Sequence, residues 1–183
     1  GPRTESGSFT RESTLWLGMI TILLLAGLVT VGTTAPLITA IGGKPGNVQT
    51  AFYHMIVMPL AFASMLLMGV SPALRWFRQQ GRSWVAPMVP GAIGSVVLTA
   101  ISLLAGLRDA GSLAILVVAG FALGVNAAVA AQIFPRGWMY AASYVGHAGV
   151  AVMVVGMTLS AALGKTDRLR LHPGKTVESL GYQ

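Results

Sequence analysis

The sequence predicts an all-α integral membrane protein: a bundle of five transmembrane helices with the start of an external segment at the C-terminus. Composition supports this fold class. Of the 183 residues, 54% are hydrophobic and only 9% are charged, whereas soluble domains carry about 25% charged residues. Mean hydropathy is +0.72. The sequence contains no cysteine, which excludes disulfides and thiolate metal sites from these residues.

Five apolar segments are long enough to cross a hydrocarbon core of about 30 Å, for which a helix needs roughly 20 residues. They are Leu15–Ile38, Phe52–Val70, Val85–Leu107, Leu113–Phe134 and Trp138–Leu163. The turns Arg108–Gly111 and Pro135–Gly137 are short, so the last three helices are expected to be antiparallel neighbours. Because spanning helices satisfy their own backbone hydrogen bonds, residues 15–163 are expected to form the bundle without a soluble domain.

Most charged residues lie in the terminal segments and the connecting loops. Residues 1–14 are predicted to be a cytoplasmic segment, and residues 164–183 the beginning of a periplasmic segment of a longer polypeptide. Lys and Arg divide equally between the two sides, so the orientation depends on one compact loop cluster, Arg75, Arg78 and Arg82, which favours the cytoplasm. Lipid headgroups and topology explain the net charge of +7. The bilayer is therefore an expected partner, and nucleic acid is not.

His147 is the only ionisable side chain within the fifth predicted span, where such residues are costly and usually functional. It follows Trp138 by about 14 Å along a helix that rises ~1.5 Å per residue, close to the membrane midplane. A neutral imidazole can ligate haem iron. Gly146 and Gly149 are expected to leave room for a flat ring, and Tyr144 to share the face. The residues alone leave two interpretations open: an axial haem ligand, or a histidine that hydrogen bonds to a neighbouring helix.

Asn126 is the other polar residue deep inside a span, and it is expected to hydrogen bond between helices rather than to bind a ligand. The pairs Gly91/Gly94 and Gly120/Gly124 predict close helix packing. Neither His54, near the end of a span, nor His172, in the polar tail, is expected at the depth of the fifth-span histidine. No nucleotide-binding or hydrolase motif is present, so no catalytic residue is assigned.

Six short motifs run in order along nearly the whole chain. They are Thr10–Ser13, Gly32–Leu37, Gly43–Pro59, Met68–Trp76, Gly146–Ala151 with Gly156 and Ser160, and Leu171–Tyr182. In this order they resemble the C-terminal portion of the CcmF family, the haem lyase subunit of bacterial cytochrome c maturation. Two positions depart from the family pattern: Ala148 replaces a leucine, and His54 stands where asparagine is usual.

The resemblance implies a site for haem b. It assigns to His147 the role of one axial ligand of the haem iron, with Gly146, Gly149 and Tyr144 as neighbouring cofactor-binding residues. The second membrane histidine and the tryptophan-rich segment that holds the substrate haem are not found in this sequence. The chain is therefore expected not to be catalytically complete alone.

The resemblance also implies a function and its partners. The whole enzyme is expected to attach haem covalently to apocytochrome c through thioether bonds in the bacterial inner membrane. The expected partners are the rest of the CcmF polypeptide, the haem chaperone, apocytochrome c and other maturation subunits of the membrane. Two alternatives stay open: a haem-binding electron-transfer membrane subunit, and a non-catalytic transporter or scaffold bundle.

Overall fold

The computed structural model describes residues 11–43, 46, 50–80 and 88–164, and within these ranges it contains helices and no strand. The helices are α1 (Arg11–Ile41), α2 (Thr50–Gln80), α3 (Met88–Leu104), α4 (Ala110–Ile133) and α5 (Trp138–Leu163), with a short 3-10 turn at Phe134–Arg136. α1, α2, α4 and α5 each contain a stretch long and apolar enough to cross a membrane. The predicted all-helical membrane bundle is therefore confirmed.

Parts of the predicted organisation lie outside the described residues. These are most of the N-terminal segment 1–14, the tail 165–183 and Arg82. Arg75 and Arg78, which were predicted to lie in one loop with Arg82, belong instead to α2, which continues to Gln80. The orientation of the bundle across the membrane thus stays a prediction.

α3 is shorter than the span predicted for it. Its 17 described residues extend about 25 Å at ~1.5 Å per residue, and Val85, where the span was predicted to start, lies outside the described residues. At its C-terminal end, Gly106 adopts a φ of +92°, Gly106 N–H donates to Leu103 O at 3.1 Å and Leu107 N–H donates to Ser102 O at 3.0 Å. This pair of bonds is a Schellman motif, which ends the helix before Leu107.

The turn between α3 and α4 caps both helices. The Asp109 carboxylate accepts a hydrogen bond from Ser112 N–H at 2.7 Å, which satisfies an otherwise free donor in the first turn of α4. The Arg108 guanidinium donates to Leu103 O at 3.0 Å at the end of α3. The predicted turn at Arg108–Gly111 is therefore present, and the Asp109 cap makes α4 begin at Ala110 rather than Leu113.

α4 is the central helix, and α2, α3 and α5 pack directly against it, whereas α1 packs on α2. In the apolar stretch of α4, 56% of residues are buried, against 11% in α1 and 6% in α5. The Phe121 ring of α4 lies between Gly69 of α2 and Gly91 of α3. The outer helices therefore leave most of their apolar surface for lipid or for other protein segments.

The α3–α4 interface is the tightest contact in the described bundle. A Cβ atom at Gly94 would collide with the carbonyl oxygen of Gly120, and one at Gly124 with the carbonyl oxygen of Pro90. Ser95 Oγ also donates across the interface to Val117 O at 2.7 Å. Small residues allow the two backbones to approach this closely, so the predicted packing role of the two glycine pairs is confirmed.

Candidate functional site

The candidate site is on α5, whose bounds coincide with the predicted span Trp138–Leu163. α5 begins after Gly137, which has a φ of +126°, a conformation that favours glycine and reverses the chain after α4. The His147 side chain is exposed on the surface of the described bundle. Within that part of the chain the imidazole makes no hydrogen bond, and both interpretations of His147 stay predictions.

The four residues predicted to bind the cofactor do not share one face of α5. An α-helix turns about 100° per residue, so Gly149 is about 160° and Gly146 about 100° around the axis from His147. Both glycines are exposed, and a Cβ added at either would meet nothing within 4 Å. The same geometry places Tyr140 and Val154 within about 20° of His147. Gly149 therefore lies on the side of α5 away from His147.

Tyr144, unlike His147 and the two glycines, is buried. It is only 8% exposed and belongs to the α4–α5 packing cluster with Val125, Val129 and Ala130. It lies about 60° around the helix from His147, at the boundary between the buried face and the exposed face. The roles of Gly146, Gly149 and Tyr144 in cofactor binding stay predictions. In the structure these three residues lie at different positions around α5.

Two sets of contacts define the register between α4 and α5. Val154 packs against the cluster that contains Ala119, and Tyr144 lies in one cluster with Val129. Because the short turn makes the two helices antiparallel, a step forward along α4 corresponds to a step backward along α5. Together the two clusters place His147 within about one helical turn of the level of Asn126.

Asn126 is completely buried, with 0% exposure. Its side-chain amide Nδ2 donates to Ala122 O within α4 at 2.8 Å and to Met68 O of α2 at 3.1 Å. The second bond confirms the prediction that Asn126 connects helices. It also explains how α2 tolerates Pro72, because a proline has no N–H to offer the carbonyl four residues earlier, which is that of Met68.

The Asn126 amide has one atom left without a partner. Oδ1 is buried and accepts no hydrogen bond within the described residues. The amide cannot simply be turned over, because Oδ1 would then face two carbonyl oxygens. A buried polar atom without a partner is costly, so this acceptor marks a place where a donor is expected.

The sequence indicates that Asn126 bonds between helices but does not show which group it bonds. Part of the answer can be read from Pro72, because a proline inside α2 leaves the carbonyl four residues earlier without its donor. The missing information was the register between α2 and α4, which only the folded bundle provides.

The donor set at His147 is a single imidazole. Among the described residues, no group of three or more His, Cys, Asp or Glu side chains could hold a metal ion. Haem brings four nitrogen ligands of its own and needs only axial ligands from protein. One exposed imidazole on an apolar helix therefore fits haem better than it fits a bare metal ion.

Comparison with known proteins gives one consistent group of relatives. No protein-family model matches the chain, and no solved structure matches it. Proteins named cytochrome c-type biogenesis protein CcmF do match. The one from Pseudomonas aeruginosa is 28% identical over 186 residues, covering 95% of this chain. The one from Pseudomonas fluorescens is 26% identical over 203 residues, also covering 95%.

A third relative extends this match. The Escherichia coli K12 protein of the same name is 27% identical over 191 residues, covering 99% of this chain. The chain spans only 28% of the length of the two Pseudomonas proteins and 29% of the Escherichia coli protein. The matched part is the C-terminal portion of these proteins. The resemblance to the CcmF family that the six motifs predict is therefore confirmed over nearly the whole of this chain.

Proposed function

We propose that this chain is the C-terminal membrane part of a CcmF-type cytochrome c haem lyase, with His147 as one axial ligand of a resident b-type haem. The observation that carries the proposal is the exposure of His147 on an apolar helix surface. An ionisable side chain facing hydrocarbon at this depth is costly, so a ligand or another protein segment is expected to cover it. The curated relatives are named for cytochrome c-type biogenesis, which supports a haem as that ligand.

The residues around His147 suit this role. His147 would present a ring nitrogen to the iron, and Val150 and Val154, on the same side of α5, would help to keep water away. When bound, the haem would supply one-electron transfer. With the electron drawn from a quinol, this transfer would keep the substrate haem reduced while each cysteine S–H of apocytochrome c adds across a vinyl group to give a thioether.

The wider assembly follows from the same proposal. The chain functions in the bacterial inner membrane with its N-terminus in the cytoplasm and its tail in the periplasm. The rest of the CcmF polypeptide supplies the second axial histidine and the substrate-haem site. The haem chaperone, apocytochrome c and other maturation subunits of the membrane are the remaining proposed partners.

The test uses the protein purified from membranes together with its natural partners. We expect a low-spin b-type reduced-minus-oxidised spectrum that is lost in His147→Ala. Met153→Ala is the matched control, because Met153 is 57% exposed on another face of α5 and its variant is expected to keep the spectrum. A full b-type spectrum in His147→Ala would overturn the proposed ligand, and a wild-type protein without haem would leave His147 a surface histidine of a scaffold bundle.

A further inference from the structure

We propose that Asn126 is a positioning residue for His147: its Oδ1 accepts a hydrogen bond from the Nδ1–H of the imidazole when Nε2 is bound to iron. This inference rests on the proposed function, because it requires His147 to be an axial ligand. The proposed bond gives a partner to Asn126 Oδ1, the buried side-chain atom of α4 that has no hydrogen bond within the described residues.

The Asn126 amide is held in one orientation and has one acceptor left unsatisfied. Its Nδ2 group is fixed by the carbonyl oxygens of Met68 and Ala122, so its orientation is set before any ligand binds. Its Oδ1 is buried and has no partner within the described residues. The folded bundle thus holds an acceptor in place at low dielectric, where a hydrogen bond is strong and a missing one is costly.

His147 lies within about one helical turn of the level of Asn126 on the neighbouring helix. Helices packed together have axes about 8–10 Å apart. His147 lies at the edge of the buried face of α5, beside Tyr144. One turn further along the buried side is the small Ala151, which is 0% exposed. A methyl group there crowds the imidazole less than a larger side chain would.

An imidazole that binds iron through Nε2 keeps its second nitrogen, Nδ1, protonated and nearer to its own backbone. A metal-bound histidine almost always donates its other N–H to a protein acceptor, which fixes the ring and makes it a more basic ligand. Asn126 Oδ1 is the unsatisfied acceptor at this level.

The test must separate this role from the bond between Asn126 and Met68. Pro72→Ala makes the separation possible, because an alanine at this position has an N–H that can donate to Met68 O within α2. In that background, Asn126→Leu removes the acceptor for His147 without leaving the Met68 carbonyl unpaired. The comparison is therefore Pro72→Ala against Pro72→Ala/Asn126→Leu, in protein purified with its natural partners.

The readouts are the midpoint potential of the haem and its retention during dialysis against a haem-binding protein. We expect the added Asn126→Leu to shift the potential to a more positive value, because a less basic imidazole stabilises ferric iron less. We also expect haem affinity to fall roughly 10- to 100-fold, the usual effect of removing an outer-shell partner. Asn126→Asp in the same background keeps an acceptor oxygen and is expected to move the potential back toward the Pro72→Ala value or below it.

The outcomes distinguish the two proposals. If His147→Ala keeps the b-type spectrum, the proposed ligand is wrong and this inference falls with it. If His147→Ala loses the spectrum while Asn126→Leu leaves the potential and the haem affinity unchanged, only the positioning role is wrong. In that case an internal water or a different donor satisfies Oδ1.

Discussion

The α3–α4 interface and the exposed surface of α5 use the same residue type in opposite ways. At Gly94, Gly120 and Gly124 an added Cβ would run into the backbone of the facing helix, whereas at Gly146 and Gly149 it would meet nothing within 4 Å. The first set brings two helices together. The second lies on a surface that the described bundle leaves open. Glycine in a membrane helix thus marks a place of close approach only where a neighbouring helix is present to approach.

The largest difference in stability between the α3–α4 interface and the exposed surface of α5 is expected when a glycine is replaced by a bulky residue. In Gly120→Leu the Cβ alone would lie 2.7 Å from Gly94 O and 3.0 Å from Ser95 Cα, so α3 must move. Overpacking commonly lowers the free energy of unfolding by about 1–3 kcal/mol. The loss in Gly120→Leu is expected at or above the upper end, because the atoms that the new side chain meets belong to the backbone of α3 and cannot rotate away. The measurement is the free energy of unfolding of the chain in mixed detergent micelles, followed by circular dichroism.

Gly149→Leu is the matched control for that experiment. Its added side chain enters open space, and leucine favours the helix over glycine by up to about 1 kcal/mol, so no loss of stability is expected. Equal destabilisation by the two variants would contradict the contrast between the packed and the open region.

A second effect concerns the bond from Asn126 to Met68 O. Asn126→Leu leaves that carbonyl without a donor inside the bundle, and a buried unsatisfied group costs about 1–3 kcal/mol. In a Pro72→Ala background the loss is expected to be smaller, because α2 then supplies its own donor. A double-mutant cycle on unfolding free energies measures the difference, and additive losses would show that Asn126 does not compensate for Pro72.

A smaller effect is expected at the turn between α3 and α4. Asp109→Ala removes the acceptor for Ser112 N–H, and loss of an N-cap typically costs about 1 kcal/mol. The turn between α4 and α5 offers the control, since the N-cap of α5 is Gly137 with no side-chain bond. Arg136→Ala in that turn is expected to change the unfolding free energy by less than about 0.5 kcal/mol. A loss in Arg136→Ala as large as that in Asp109→Ala would rule out a specific capping role.

The smallest effect on stability is expected at His147 itself. Its side chain is exposed and makes no hydrogen bond within the described residues, so His147→Ala is expected to change the unfolding free energy of the isolated chain by less than about 0.5 kcal/mol. A loss above about 2 kcal/mol, on the order of a broken buried network, would instead show that the imidazole has a structural partner within the chain.

The sequence was most informative where apolar segments end at strong local signals. The bounds of α5 were predicted correctly because Pro135–Gly137 breaks the helix before Trp138 and Gly164 follows Leu163. The predicted C-terminal end of α3 was too late. Apolar residues continue through Leu107, but the helix ends at Leu104 because Gly106 adopts a left-handed conformation. Local backbone geometry, not composition, decided that boundary.

Less of the candidate site than of the fold could be predicted from the sequence. α5 is apolar around its whole circumference, so periodicity does not show which face packs against α4. The grouping of His147 with Gly149 followed proximity in sequence, whereas helix geometry places the two residues about 160° apart around α5. The link between Pro72, Met68 and Asn126 required the register of three helices, which no local pattern contains.

The most direct test of the central claim is chemical rescue of His147. In His147→Gly, purified with the natural partners, the low-spin b-type spectrum is expected to be lost and to return when free imidazole is added, because imidazole can occupy the space of the missing side chain and ligate the iron. The same titration on Met153→Ala should change nothing. A His147→Gly protein that keeps the wild-type spectrum without imidazole would contradict the account.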